Sequence, residues 1–94
     1  MALLSADELQ ARLGDLPGWE AGEGEIRRQF ELADFRAAVA FVVRIAFEAE
    51  AADHHPDLDI RYRRVTVALS THSEGGVTAK DVDLATAIHT LAGG

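Results

Sequence analysis

The chain has 94 residues, 48% hydrophobic and 27% charged, with 16 acidic against 9 basic residues, a formal net charge of −7 and no cysteine. That length allows one domain, read as 1–94, whose core is small enough for oligomer formation to help it. The acidic balance argues against nucleic-acid phosphate or an anionic membrane surface as main partner; the missing cysteine excludes disulfides and thiolate metal sites; and no apolar stretch reaches the ~18 residues of a membrane span. The start, MALLSADEL, lacks the basic region and long apolar run of a secretory leader, so a soluble cytoplasmic protein is expected.

Ser5 followed by Glu8 reads as a capping box, opening a short helix with Leu9 and Leu13 on one face. Gly14 to Gly18, with Pro17, breaks it, and Trp19 begins a short strand. A turn over Gly22–Gly24 leads into a second strand. There Ile26, Phe30 and Leu32 share one face by period two, while Arg27, Gln29 and Glu31 face away. The two strands are expected to form a hairpin. Asp34 caps the longest helix, which runs to about Ala52, with Phe35, Val39, Val42 and Ala46 as its expected buried stripe. Phe41, Val43, Ile45 and Phe47 nevertheless spread apolar surface nearly all round it, broken by Arg36, Arg44, Glu48 and Glu50. A helix on one face of a small sheet needs one apolar face. The surplus predicts a second packing partner, most simply another copy of the chain.

Pro56 ends the helical region by pushing its predecessor toward extended backbone. From Leu58 to Thr71 the pattern is strand-like, with Ile60 and Tyr62 on one parity and Val65, Val67 and Leu69 on the other. That switch places a bulge or break near Arg63–Arg64, so the segment is one bent strand or two. Arg61, Arg63 and Arg64, with Arg27 and Arg28, put five of the nine bases in strands, where they read as solvated or interface-facing sheet surface. Ser73 to Gly76 is a loop. Thr78 then caps a last helix, with Asp81 three residues on and Val82, Ala85, Ile88 and Leu91 facing inward. The whole is α+β, an antiparallel sheet with helices on one face.

Three of the four histidines sit at element ends: His54 and His55 where the long helix stops, His72 where the last strand ends. At a helix-to-extended transition two adjacent side chains can converge on one pocket, and the negative end of the helix dipole favours a charged imidazolium there. An imidazole with an unperturbed pKa of about 6.5 suits proton transfer near neutrality. Glu50, Asp53 or Asp81 could orient one of them. Asp81 has a second role open to it, since a carboxylate three residues after Thr78 caps its own helix. His-His-Pro by itself is more often a surface turn, and three histidines with a carboxylate could hold zinc, although the i, i+4 helical pair of the usual zinc motif is missing. His89 has no partner in view and reads as surface. Gly75–Gly76 is too short for a phosphate loop and lacks its lysine, and no serine nucleophile elbow occurs.

The run Glu50-Ala-Ala-Asp-His-His-Pro56, then Tyr62, then Val65-Thr-Val-Ala-Leu-Ser-Thr-His72, then Gly76-Val-Thr-Ala-Lys-Asp81 resembles the pterin-4a-carbinolamine dehydratase family. The resemblance extends to Gly18-Trp19 and the Phe30 to Phe41 region, so it covers most of the chain. It implies a four-stranded antiparallel sheet with three helices packed on one face, in the order α-β-β-α-β-β-α. It implies that His54, His55, His72 and Asp81 are catalytic, that Glu50 stands at the pocket edge and Trp19 near its rim, and that Thr71 binds substrate. The implied reaction removes water from 4a-hydroxytetrahydropterin to give quinonoid dihydropterin, recycling the cofactor of aromatic amino-acid hydroxylases. An acid serves the departing 4a-hydroxyl and a base the N5 proton. His54 and His72 are assigned to proton transfer and His55 mainly to the pterin. No metal or tightly bound cofactor is implied, and members form dimers or tetramers.

Two other functions stay open. One is a dimerisation module, since in animals the family resembles a partner of a transcription factor. The other is an enzyme acting on a different pterin, such as a molybdenum-cofactor intermediate. After His-His-Pro many members carry an aromatic residue and, two positions later, an asparagine. Leu58 and Ile60 stand there in this chain, so pocket contacts are expected to differ.

Overall fold

Reciprocal capping starts the first helix. In the computed structural model, which describes residues 2–93, α1 spans Ala6–Leu13. The Ser5 hydroxyl accepts the Glu8 N–H at 3.1 Å, and the Glu8 carboxylate accepts the Ser5 N–H at 2.8 Å. The Ser5 N–H, followed by the Ser5 hydroxyl, holds the Glu8 carboxyl below its ordinary range. There follow β1 (Glu20–Gly22), β2 (Glu25–Glu31), α2 (Phe35–Ala52), β3 (Asp57–Arg61), β4 (Arg64–Leu69), a 3-10 turn (His72–Glu74) and α3 (Ala79–Leu91). The four strands form one antiparallel sheet in the order β1-β2-β4-β3.

The parity switch in the second hairpin marks a turn rather than a bulge. Arg61 pairs with Arg64, leaving Tyr62 and Arg63 as a two-residue loop in which Tyr62 takes a φ of 55°. Directly opposed residues of an antiparallel pair share a face. Ile60 therefore points the same way as Val65, and Leu58 the same way as Val67, although their numbers differ in parity.

The inner face of the sheet carries Ile26, Phe30, Val65, Val67 and Leu69, all buried. Against it pack Ala38, Phe41, Ile45 and Ala49 of α2 and Val82, Leu84, Ala85 and Ile88 of α3. Phe30 and Phe41 meet edge to face, with ring centroids 4.9 Å apart. The stripe of α2 chosen for burial is not the one its spacing suggested. Phe35 and Val39 are exposed, Val42 is half-buried and Ala46 is exposed. A helix apolar on all sides offers several stripes of the same period. The sheet takes the one in which Ala38 and Ala49 flank Phe41 and Ile45, because small residues let the helix axis approach. Phe35, Val39, Val43 and Phe47 are left facing outward, Phe47 at 71% exposure.

Arg28 departs from the expected sheet surface. Its parity is that of Ile26 and Phe30, and it lies half-buried with its guanidinium 4.2 Å over the Phe30 ring. Its NH1 donates to His89 Nδ1 at 3.2 Å, so His89 has a partner that the sequence did not reveal. Gly18 makes room for this side chain. At φ 89°, a Cβ on Gly18 would stand 2.8 Å from Arg28 Nε.

Phe41 of α2 is 1% exposed and meets Phe30 of the sheet. Phe41→Ala is expected to lower unfolding free energy by about 3–5 kcal/mol, read from urea titration.

Candidate active site

The end of α2 decides where its two histidines go. Asp53 adopts the left-handed conformation (φ 49°, ψ 45°). Its N–H donates to the Glu50 carbonyl at 3.2 Å, while the His54 N–H donates to the Ala49 carbonyl at 3.1 Å. This is a Schellman motif with aspartate in the place usually held by glycine, a position its short polar side chain tolerates. The chain then runs through Pro56 into β3, and the two imidazoles separate. The His54 side chain is 11% exposed, whereas that of His55 is 59% exposed. His55 Nε2 stands 2.7 Å from Glu50 Oε1, one turn back on the same helix.

His54 meets a carboxylate that no solvent reaches. Asp81 is 0% exposed, and its Oδ1 lies 2.5 Å from His54 Nε2. Its Oδ2 accepts the Thr71 hydroxyl at 2.8 Å and the Thr78 N–H at 2.9 Å. The two roles open to Asp81 from its spacing are therefore both filled, one by each oxygen. A buried carboxylate needs this many donors to offset its lost hydration. An ionised carboxylate only accepts, so Nε2 carries the proton and Nδ1 is left as the proton-accepting nitrogen of neutral His54. Among the described residues, Trp19 Nε1 is the one buried side-chain polar atom without a partner. The unpaired Nδ1 of His54 is therefore open to solvent.

That opening is a pocket of about 290 Å³ lined by Asp53, His54, His55, Ser70, Thr71, His72, Ser73 and Lys80. The three histidines from two distant segments thus border one cavity. His72 is exposed on the 3-10 turn that follows β4. Asp81 lies behind His54, and Glu50 stands outside the lining, hydrogen-bonded to His55. Among the described residues no three metal-ligating side chains come close enough to hold an ion. Ser70, Ser73 and Lys80 were not singled out from the sequence. Their one signal was adjacency: the serines flank Thr71-His72, and Lys80 precedes Asp81.

Trp19 is not at this pocket. It is 5% exposed, edge-on to Phe30 with centroids 6.1 Å apart, and it borders a separate cleft with Gln10, Leu13 and Glu20. The strand order explains this, for Trp19 leads into β1 while His54 and His55 lead into β3, at the opposite edge of the sheet. Leu58 and Ile60 also lie outside the pocket lining, on β3, and over a third of each is exposed. A larger concavity of about 420 Å³ opens on the outer sheet face beside Arg27, Gln29, Asp59, Arg61, Arg64 and Thr66. It holds no imidazole, and two of its guanidinium groups are paired, Arg61 with Asp59 at 3.1 Å and Arg27 with Glu25 at 3.6 Å. The three imidazoles are in the smaller pocket.

Asp81→Asn is a direct check of the His54 tautomer. The two donors at Oδ2 hold the amide oxygen, so the amide nitrogen must face His54 and donate to Nε2. Nitrogen-15 NMR is expected to show His54 protonated on Nε2 in the native protein and on Nδ1 in the variant.

The family profile described as pterin 4 alpha carbinolamine dehydratase matches residues 2–91. A protein of Roseiflexus castenholzii, provisionally named pterin-4-alpha-carbinolamine dehydratase, is 59% identical over 90 residues, covering 96% of this chain and 97% of its own. A similarly named protein of Chloroflexus aurantiacus is 53% identical over 93 residues, covering 99% of this chain and 100% of its own. The crystal structure of a transcriptional coactivator/pterin dehydratase from Brucella melitensis superposes with a TM-score of 0.91 at 39% identity, covering 96% of this chain and 98% of that one.

Proposed function

The chain belongs to the pterin 4 alpha carbinolamine dehydratase family, and we propose that it dehydrates a 4a-hydroxytetrahydropterin to the quinonoid dihydropterin by histidine acid/base catalysis. The observation that carries this reading is the His54–Asp81 pair, at 2.5 Å, opening on a pocket shared with His55 and His72. Loss of water from C4a and N5 needs one proton delivered to the departing 4a-hydroxyl and one removed from N5, with the N5 lone pair closing the C4a=N5 bond. His54 suits the base role. Its Nδ1 is free to accept the N5 proton, and the imidazolium then formed is stabilised by the Asp81 carboxylate. His72, on the 3-10 turn bordering the pocket, delivers a proton to the hydroxyl, and water leaves. His55, steadied by Glu50, holds the pterin. The proton balance closes within the pocket, because the acid gives up one proton as the base takes one.

This function belongs in the cytoplasm, in recycling of a reduced pterin, and the absence of cysteine accords with that compartment. The outward stripe of α2 supports a homodimer or homotetramer. Phe35, Val39, Val43 and Phe47 repeat every four residues on one helix face, and all are exposed.

The same stripe favours a second reading, a dimerisation module in which the helix matters and the histidines do not. The coactivator in the name of the Brucella protein is consistent with it. The two readings part when His54, His55 and His72 are all replaced by alanine: a dehydratase loses its activity, whereas a module keeps its partner.

Purified protein is expected to accelerate carbinolamine breakdown, and His54→Ala to lower kcat about 10²- to 10⁴-fold. A native rate equal to that of buffer excludes the reaction. Phe47→Glu places a charge within the outward stripe and is expected to shift sedimentation toward the monomer while the far-ultraviolet spectrum stays native.

A further inference from the structure

We propose that Thr71 and Thr78 are positioning residues: their hydroxyls form a one-way hydrogen-bond chain into Asp81 that holds the carboxylate with Oδ1 aimed at His54 Nε2. Its kinetic consequence rests on the dehydratase reading; the orientation of the carboxylate does not.

Both ends of the chain set its direction. The Lys80 N–H can only donate, and it reaches the Thr78 hydroxyl oxygen at 3.3 Å. The Asp81 carboxylate can only accept, and it takes the Thr71 hydroxyl at 2.8 Å. The two hydroxyl oxygens are 2.8 Å apart. With the Thr71 proton committed to Asp81, the proton between them comes from Thr78. Thr78 and Asp81 are 0% exposed and Thr71 is 7% exposed, which leaves little room for water to offer an alternative partner. Capping α3 needs an oxygen on Thr78 and nothing from Thr71, which stands on another element. The second hydroxyl is therefore surplus to the cap. Together with the Thr78 N–H it saturates Oδ2, fixes the plane of the carboxylate and reserves Oδ1 for His54. Thr71, expected from the sequence to bind substrate, has its one proton turned away from the pocket and acts through Asp81.

The test uses Thr71→Val and Thr71→Ser, with Thr78→Val and Thr78→Ser beside them, at a temperature where circular dichroism shows each folded. Steady-state dehydration and the nitrogen-15 shifts of His54 are measured together. Thr71→Val is expected to lower kcat about 10- to 100-fold with KM unchanged and to shift the His54 Nε2 resonance as its bond to Asp81 loosens, and Thr71→Ser to restore both. Thr78→Val moves both readouts in the same direction. A folded Thr71→Val protein with native kcat and a native His54 Nε2 shift overturns the proposal and leaves the hydroxyls a structural role. Should Thr71→Val not fold, Thr71→Cys, with a weak donor of similar size, replaces it under the same criteria. If the native protein shows no dehydration, the dehydratase reading fails on that count alone. The His54 Nε2 shift in Thr71→Val then decides the chain of hydroxyls by itself.

Discussion

The structure turns on a carboxylate with no access to water. Asp81 joins three elements: its own helix through the Thr78 N–H, the end of β4 through the Thr71 hydroxyl, and the exit of α2 through His54. A lone buried carboxylate would cost several kcal/mol, and removing a partner from such a pair typically costs about 3–5 kcal/mol. Each of the three donors is therefore required where it stands. This requirement ties the geometry of the pocket to the stability of the fold, since the group that orients His54 is also the group that starts α3.

The two histidine–carboxylate contacts differ in kind. His55 and Glu50 are both largely exposed, and such a pair contributes about 0–1 kcal/mol. His54 and Asp81 are enclosed, so their contact is weakly screened and its geometry is rigid. A proton-transfer group benefits from the second environment and a ligand-holding group tolerates the first. The contrast between these adjacent residues follows from one backbone feature, the left-handed Asp53 that turns one imidazole inward and leaves the next outside.

The fold also separates its two apolar surfaces. The inner stripe of α2 is consumed by the sheet and α3, while the outer stripe of phenylalanine and valine remains uncovered. Neither surface borders the pocket, which opens at the end of the helix rather than along its side. Chemistry and association can therefore vary independently in such a scaffold, a separation that fits a family in which one solved member bears both a coactivator and a dehydratase name.

Much of this was legible in the chain. Both capping boxes, the strand alternation around Ile26 and Phe30 and the break before Arg64 are local signals, set by hydrogen-bonding reach and side-chain period, and all correspond to elements that form. The histidines at element ends were local signals too. What the chain could not specify were choices between equivalent local options. Period 3.6 does not say which stripe of an all-apolar helix turns inward; the small residues facing the sheet do. Spacing does not say whether Asp81 caps its helix or orients a histidine; the approach of α2 lets it do both. Nor does adjacency reveal that Trp19 lies across the sheet from the histidines, or that Arg28 and His89 meet, because strand order is a property of the assembled sheet. The sequence by itself determined the elements and the kind of chemistry available. Tertiary packing alone decided the partners, because contacts between distant segments are selected by burial and by hydrogen-bond satisfaction across the whole fold.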